Sequence, residues 1–348
     1  MVAPGDRILA AVSGGPDSIA LVRVLMALRE DLGISLGLAH YNHGLRGDES
    51  LRDETFVREF ARDKHLDLAV ESGDIKAFAK RSRLSLEEAG RNARYEFFNR
   101  IAPAKGYTRI ALGHNRDDHV EQVLMGLIRG SGARGLRGIA PVREGRFIRP
   151  LIRVSKKEIL AYLNKAGQDY VTDASNEDPA FLRNRVRHRL IPLLEQEFNP
   201  DIKTGLDRLS QILSLEDDFM SDQADQAYDA VRRDETGRAG KPRATLSVPG
   251  LLDLHPALAG RVLRKGITRV KGNLRRITHI HIQDILALAE KSPSNTSLDL
   301  PGQIRVYKKK GLICIKKEGQ PLRELGRIRK SKQLKDRRKS RGNSGPKT

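Results

Sequence analysis

The sequence predicts an α/β protein: a parallel sheet with helices on both faces over roughly the first 200 residues, then a smaller α+β domain. Two patterns predict it. Short apolar runs alternate with amphipathic stretches up to the region of residue 190, and after Pro200 the alternation gives way to long helical periodicity closed by short strands. A chain of 348 residues can bury two cores of ordinary size.

Strands are expected at Arg7–Val12, Leu36–Tyr41, Asp67–Glu71 and Arg109–Gly113, with helices between them at Ser18–Arg29, Ser50–His65 and Leu86–Ala102. Such alternation implies crossover connections and strands buried on both faces, and ligands of such sheets sit beyond the carboxyl ends of the strands. Polar clusters fall at those ends: Ser13–Ser18, His40–Arg46 and His114–Glu121. Further on, Asp201–Val231 reads as a long helix, Thr236–Arg243 as a charged break, and Leu251–Lys291 as two or three helices. Short strands Ser297–Leu300, Ile304–Tyr307 and Leu312–Ile315 complete the second domain.

Ser13-Gly14-Gly15-Pro16-Asp17-Ser18, set between the apolar runs Ile8–Val12 and Ile19–Val22, has the design of a phosphate cradle. Two glycines permit a tight turn, and the helix that follows offers unpaired N–H groups and the positive end of its dipole. Ser13 and Ser18 add hydroxyls, while Asp17 offers a carboxylate to a magnesium ion carried by phosphates. At this loop no lysine follows the glycines as G-x-x-x-x-G-K-[ST] requires, and the glycine spacing of G-x-G-x-x-G is missing, which excludes the two commonest nucleotide loops here.

In His114-Asn115-Arg116-Asp117-Asp118-His119-Val120-Glu121, Asp118 and Glu121 stand three apart and share the first turn of a helix. The pair suits a cationic amine or a magnesium ion; capping of the helix N-terminus is the competing reading. His114 and His119 lack a third ligand at zinc spacing, so His114 is read as a donor to a phosphate or to developing charge. Asn42, His43 and Arg46 fit a simple loop and nucleotide contacts equally well. Arg91 and Arg94 share a helix face, as solvated arginines or as a polyphosphate clamp. The glycine-rich segment Gly130–Gly138, with Arg134 and Arg137, reads as a flexible basic loop, and Arg183, Arg185, Arg187 and Arg189 form a credible phosphate-binding patch.

The net charge is +20, which points to a polyanionic partner. Eleven basic residues against Glu324 and Asp336 lie between Pro321 and Thr348, a tail expected to be solvated and disordered, with RNA binding as its possible role. Cys314 is the only cysteine, so an internal disulfide or a cluster held by several of the chain's thiolates is excluded. With no run of eighteen apolar residues and no signal-like segment, a cytoplasmic protein with no membrane partner is expected.

The S-G-G-x-D-S cradle resembles the pyrophosphate loop of the ATP pyrophosphatases, the Rossmann-like PP-loop superfamily. Together with His40–Arg46, Arg91–Tyr95, His114–Glu121, Arg129–Gly138, Asp173–Asn176 and Asn184–Leu194, it resembles the tRNA(Ile)-lysidine synthase family. The second domain is similar to that family more weakly, through Leu300-Pro301-Gly302 and the closing strands. Some family members carry a further C-terminal domain, where this sequence has its short basic tail. The resemblance implies a catalytic domain over residues 1–200 and a tRNA-binding domain over 201–320, and the basic tail over 321–348 departs from it.

It also implies a reaction. ATP adenylates the C2 oxygen of the wobble cytidine of CAU-anticodon tRNA(Ile), releasing pyrophosphate, and the ε-amine of free L-lysine then attacks C2 and displaces AMP to form lysidine. The base must leave its stack, which is easiest in an anticodon loop. Ser13, Gly14, Gly15, Pro16, Asp17 and Ser18 would hold the pyrophosphate of ATP, with Asp17 near Mg2+. Arg94 and His114 would contact phosphates or the adenylated intermediate, Asp118 and Glu121 would bind lysine, and Arg134, Arg137, Arg183 and Arg185 would bind tRNA. A thiolase of the same superfamily, a non-catalytic RNA-binding protein, and a homodimer all stay open as alternatives.

Overall fold

The computed structural model describes residues 1–45, 47–172, 182–233 and 243–318. Arg46, the Asp173–Asn176 motif, Phe181, nearly all of the Thr236–Arg243 break and the basic tail lie outside the described residues. The chain divides into two compact units, Met1–Ser214 and Leu215–Thr348.

The first unit is built on strands β1 (Arg7–Ala11), β2 (Ser35–Asn42), β3 (Leu68–Ser72), β4 (Arg109–Ala111), β5 (Val142–Arg143) and β6 (Phe147–Ile148), in the order β3-β2-β1-β4-β6-β5. All pairs are parallel except β5 with β6. β1 is buried on both sides, which is why its sequence is continuously apolar: Ile8 and Ala10 join one core and Leu9 the other. Helices α1 (Pro16–Ala27) and α2 (Asp48–Asp63) cover the first face, joined later in the chain by α7 (Lys156–Lys165). α4 (Leu86–Ala104) covers the other with Tyr95, Phe97 and Phe98, and α3 (Ile75–Ser82) precedes it.

The strand order reverses between β1 and β4, and there the fold positions its site. Gly14 has φ +89°, and a Cβ on it would lie 3.3 Å from Val171 Cγ2, so the turn after β1 is both left-handed and closely packed. Gly113, just after β4, would put a Cβ 3.1 Å from the Asp17 backbone. Its missing side chain lets the two strand ends approach. α5 (Arg116–Ile128) then starts beside the cradle, and it packs through Val120 and Leu124 against Val186 and Ile191. Those two residues belong to a chain of short helices: α8 (Leu182–Arg185), a π-helical turn (Val186–Leu190) and α9 (Ile191–Glu197).

Two expectations change. The segment expected to be a flexible loop after α5 contains a helical turn, α6 (Ala133–Leu136), and Gly138 is packed so closely on the His119 ring that a Cβ would lie 2.6 Å from it. The charged break expected at Thr236–Arg243 ends in a strand, because Arg243 starts β7 (Arg243–Ser247).

α10 (Ile202–Val231) contributes to both units. The second unit adds α11 (Val248–Asp253), α12 (Pro256–Lys271) and α13 (His279–Lys291), with β8 (Ser297–Leu300), β9 (Ile304–Lys309) and β10 (Leu312–Lys317). Its sheet runs β7-β10-β9-β8, all antiparallel. Alternation is clear in β9, where Ile304 and Val306 are buried and Arg305 and Tyr307 are not, while Ile313 and Ile315 of β10 join the same core with Val262, Leu263 and Ile267 of α12 and Ile285 of α13. Among the described residues no helix is long and apolar enough to cross a membrane.

Candidate active site

The cradle is pre-shaped by its own hydroxyls. Ser18 Oγ donates to the Gly15 carbonyl at 2.9 Å and accepts from the Ser13 N–H at 3.1 Å, which closes the turn. Pro16, which has no N–H to lose, opens α1 with Asp17 in its first turn, and no side chain caps the helix end. The positive end of the α1 dipole therefore faces the turn.

Asp17 is held from two other segments. Asn115 Nδ2 donates to its Oδ1 at 3.0 Å, and Lys156 Nζ donates to both of its oxygens at 2.8 Å. Asn115 itself is buried as the N-cap of α5, in a capping box in which it and Asp118 exchange hydrogen bonds of 2.9 and 3.1 Å. Asp118 thus satisfies the capping reading and retains its Oδ1 for other partners.

Those partners are arginines. Arg183 Nη2 donates to Asp118 Oδ1 at 2.6 Å and its Nε to Glu121 Oε2 at 2.7 Å, while Arg187 Nε donates to Glu121 Oε1 at 2.6 Å. Glu121 is 1% exposed. Burial lowers the proton affinity of both guanidinium groups, but Asp118 and Glu121 outweigh it and hold them above their ordinary values. Asp118 and Glu121 thus share the same two arginines as partners.

A second cluster gathers around His114. Arg149, buried just past β6, donates from Nε to His114 Nδ1 at 3.2 Å and from Nη1 to the Ala140 carbonyl at 2.6 Å. Burial, followed by the charges of Arg149, Arg94, Arg183 and Arg91, pushes the His114 pKa down to about 3. His114 is therefore neutral at physiological pH, and with Nδ1 accepting, Nε2 carries the hydrogen and can donate to an anion. Arg94 is also depressed, by burial first, and its Nε is buried with no hydrogen-bond partner among the described residues. An orphaned buried guanidinium N–H is costly unless a ligand satisfies it. Arg91 and Arg143 lie over the Tyr95 ring at 5.4 and 4.7 Å from its centroid. This recess therefore concentrates positive charge.

The His114 charge state has a measurable consequence. Because the folded pKa lies below the unfolded value of 6.5, the unfolded chain takes up this proton first. Its contribution to stability is complete above pH 6.5 and is lost as pH falls towards 3. In a titration of the ligand-free protein followed by imidazole nitrogen chemical shifts, His114 is expected to stay neutral at pH 5; a midpoint near 6.5 would contradict the geometry.

A cavity of about 390 Å³ is lined by Asp17, Asn115, Asp117, Glu121, Lys156, Lys157, Arg187, Ile191 and Lys203. Burial raises the Asp117 pKa, yet the Lys156 N–H and Lys203 bring it below its ordinary value. Arg134 is exposed at α6, and Arg185 is exposed on a separate groove with Ile128, Leu182 and Val186, away from the carboxylates that hold Arg183. His119 is buried, donating or accepting at Ser210 Oγ across 2.6 Å and accepting the Ile139 N–H at 3.1 Å, so it ties α5 to α10. Among the described residues no three His, Cys, Asp or Glu side chains gather as a metal site.

Lys156, Arg149, Lys203 and the N-cap role of Asn115 escaped the sequence reading. Ser155-Lys156-Lys157-Glu158 did carry one signal, a capping-box pattern for α7.

A doubly wound sheet with a glycine cradle, an acid pair and an arginine recess at its switch point defines a nucleotide-binding protein of the PP-loop class. Residues 3–194 match the sequence pattern of the PP-loop domain, and residues 246–310 match that of the TilS substrate binding domain. A tRNA(Ile)-lysidine synthase of Geobacter sulfurreducens is 41% identical over 88% of this chain and 64% of its own length. Those of Clostridium tetani and Clostridioides difficile are each 33% identical, over 90% and 91% of this chain and 66% and 68% of their own. The chain belongs to the tRNA(Ile)-lysidine synthase family. It spans about two thirds of the length of these curated relatives. Among solved structures, a U34-tRNA thiolase from Methanococcus maripaludis is similar in fold, with a TM-score of 0.51 at 18% identity over 61% of this chain and 74% of that one.

Proposed function

We propose that the chain joins L-lysine to C2 of the wobble cytidine of CAU-anticodon tRNA(Ile) at the expense of ATP. The C2 oxygen attacks the α-phosphorus and pyrophosphate leaves; the lysine ε-amine then attacks C2, and AMP departs with the former C2 oxygen. One observation carries the reading beyond family membership: Asp17 of the cradle and Glu121 of the acid pair line the same cavity. A phosphate-handling carboxylate and an amine-handling one open onto one space, as a reaction that couples ATP to an amine requires.

In this reading Ser13–Ser18 take the β- and γ-phosphates, and the orphaned Arg94 N–H and neutral His114 serve the α-phosphate or the adenylated base. Asp118 and Glu121 take the lysine ammonium in exchange for Arg183 or Arg187. Arg134, Arg137 and Arg185 meet the RNA backbone. Mg2+ fits as a companion of the phosphates: Asp17 supplies one hard carboxylate ligand, and such ions are commonly held by one or two carboxylates plus substrate phosphates. When bound it would neutralise phosphate charge.

The test is pyrophosphate release from magnesium-ATP with CAU-anticodon tRNA(Ile) and lysine, each omitted in turn. Release that requires the tRNA, followed by transfer of labelled lysine to it, is the expected result. Release without tRNA, or without lysine transfer, would leave an ATP pyrophosphatase with a different substrate. No release at all would favour a non-catalytic RNA-binding protein.

A further inference from the structure

Lys156 is fixed to the backbone framework more firmly than its surface position suggests. It opens α7 inside the Ser155–Glu158 capping box, and its own N–H donates to Asp117 Oδ2 at 2.7 Å. From that anchor its Nζ lies 2.8 Å from both oxygens of Asp17, whose Oδ1 also accepts from Asn115. The cradle's carboxylate is thus neutralised by a cation of the chain itself. A lysine suits this task, since its ammonium is a compact point charge on a flexible stem and can move several ångströms without disturbing the helix. Its side chain is 38% exposed, which leaves room for that movement.

We infer that Lys156 is a positioning residue of the nucleotide site. It is an internal counter-ion that holds Asp17 in place while the cradle is empty and moves onto the polyphosphate when Asp17 takes up the cation accompanying ATP. The inference rests on the proposed reading only in taking Ser13–Ser18 as an ATP site. Two cations cannot share Asp17 at these distances without strong repulsion. A polyphosphate carries several negative charges against the single one on Asp17, so the displaced ammonium has a better partner close by, across the cavity that Lys156 already lines.

Removing the ammonium therefore has two effects of opposite sign. In Lys156→Met, Mn2+ binding without nucleotide, followed by electron paramagnetic resonance, should strengthen, because the internal competitor is gone. ATP binding, measured by calorimetry, should weaken by about tenfold, the loss of one charge-assisted contact. Lys156→Arg should recover most of the ATP affinity, and circular dichroism should show all three proteins folded. If both affinities fall together, or both stay within about twofold of the parent, Lys156 is structural or a surface ion pair and the inference fails. If the parent chain itself binds no ATP, the cradle reading fails first and takes this inference with it.

Discussion

Replacing Asp17 by Asn is expected to slow tRNA-dependent pyrophosphate release by at least about three orders of magnitude, the scale of losing a charge that stabilises a phosphoryl-transfer transition state. The substitution keeps the shape of the side chain and an oxygen able to accept from Asn115 Nδ2, so the strand-end geometry survives. It removes the negative charge that answers Lys156 and that the phosphate-borne cation requires. Asp17 is 30% exposed, and its pairing with Lys156 contributes little to stability, about 1 kcal/mol or less. Single-turnover pyrophosphate release alongside a denaturation curve separates the two effects. Release within tenfold of the parent would remove Asp17 from the chemistry.

Glu121→Gln is expected to divide the two half-reactions. Adenylation, read as pyrophosphate release, should survive, while lysine transfer should fall by about two orders of magnitude, because a neutral amide cannot replace a carboxylate opposite an ammonium. This variant is also expected to lose about 2–3 kcal/mol of stability, since Glu121 is 1% exposed and carries contacts from both Arg183 and Arg187. The arginines are themselves about a third exposed, which keeps the cost towards the lower end of that for a buried pair. Equal loss of both half-reactions, after allowance for the folded fraction, would mean that Glu121 serves the fold and not the amine.

The sequence was most readable where the information is local. Strand β1, the glycine turn and α1 are contiguous, so apolar run, Gly14 and Pro16 announce the cradle together. The Asp118–Glu121 spacing likewise belongs to one helix turn, and their shared arginine partners agree with it. What the chain brings together from afar was not readable. Lys156 meets Asp17 because α7 packs on the same face as α1, and Arg149 meets His114 because β6 pairs with β4. β5 and β6 are two residues each, too short for any alternation to register. Arg183 shows the same limit from the other side: its charge marked it as a phosphate ligand, but the packing of α5 on the helices after residue 182 turns it towards carboxylates. Charge is visible in a sequence; the direction in which a fold points it is not.

The contacts on Asp17 join residues 98 and 139 positions apart in the chain. On a ribosome the cradle is synthesised early and its partners late, and contacts of such separation form only after the intervening chain has collapsed. The carboxylate of the cradle therefore gains these two side-chain partners late, the second when the rest of the sheet has been made. A nucleotide bound to the finished fold stabilises it by mass action.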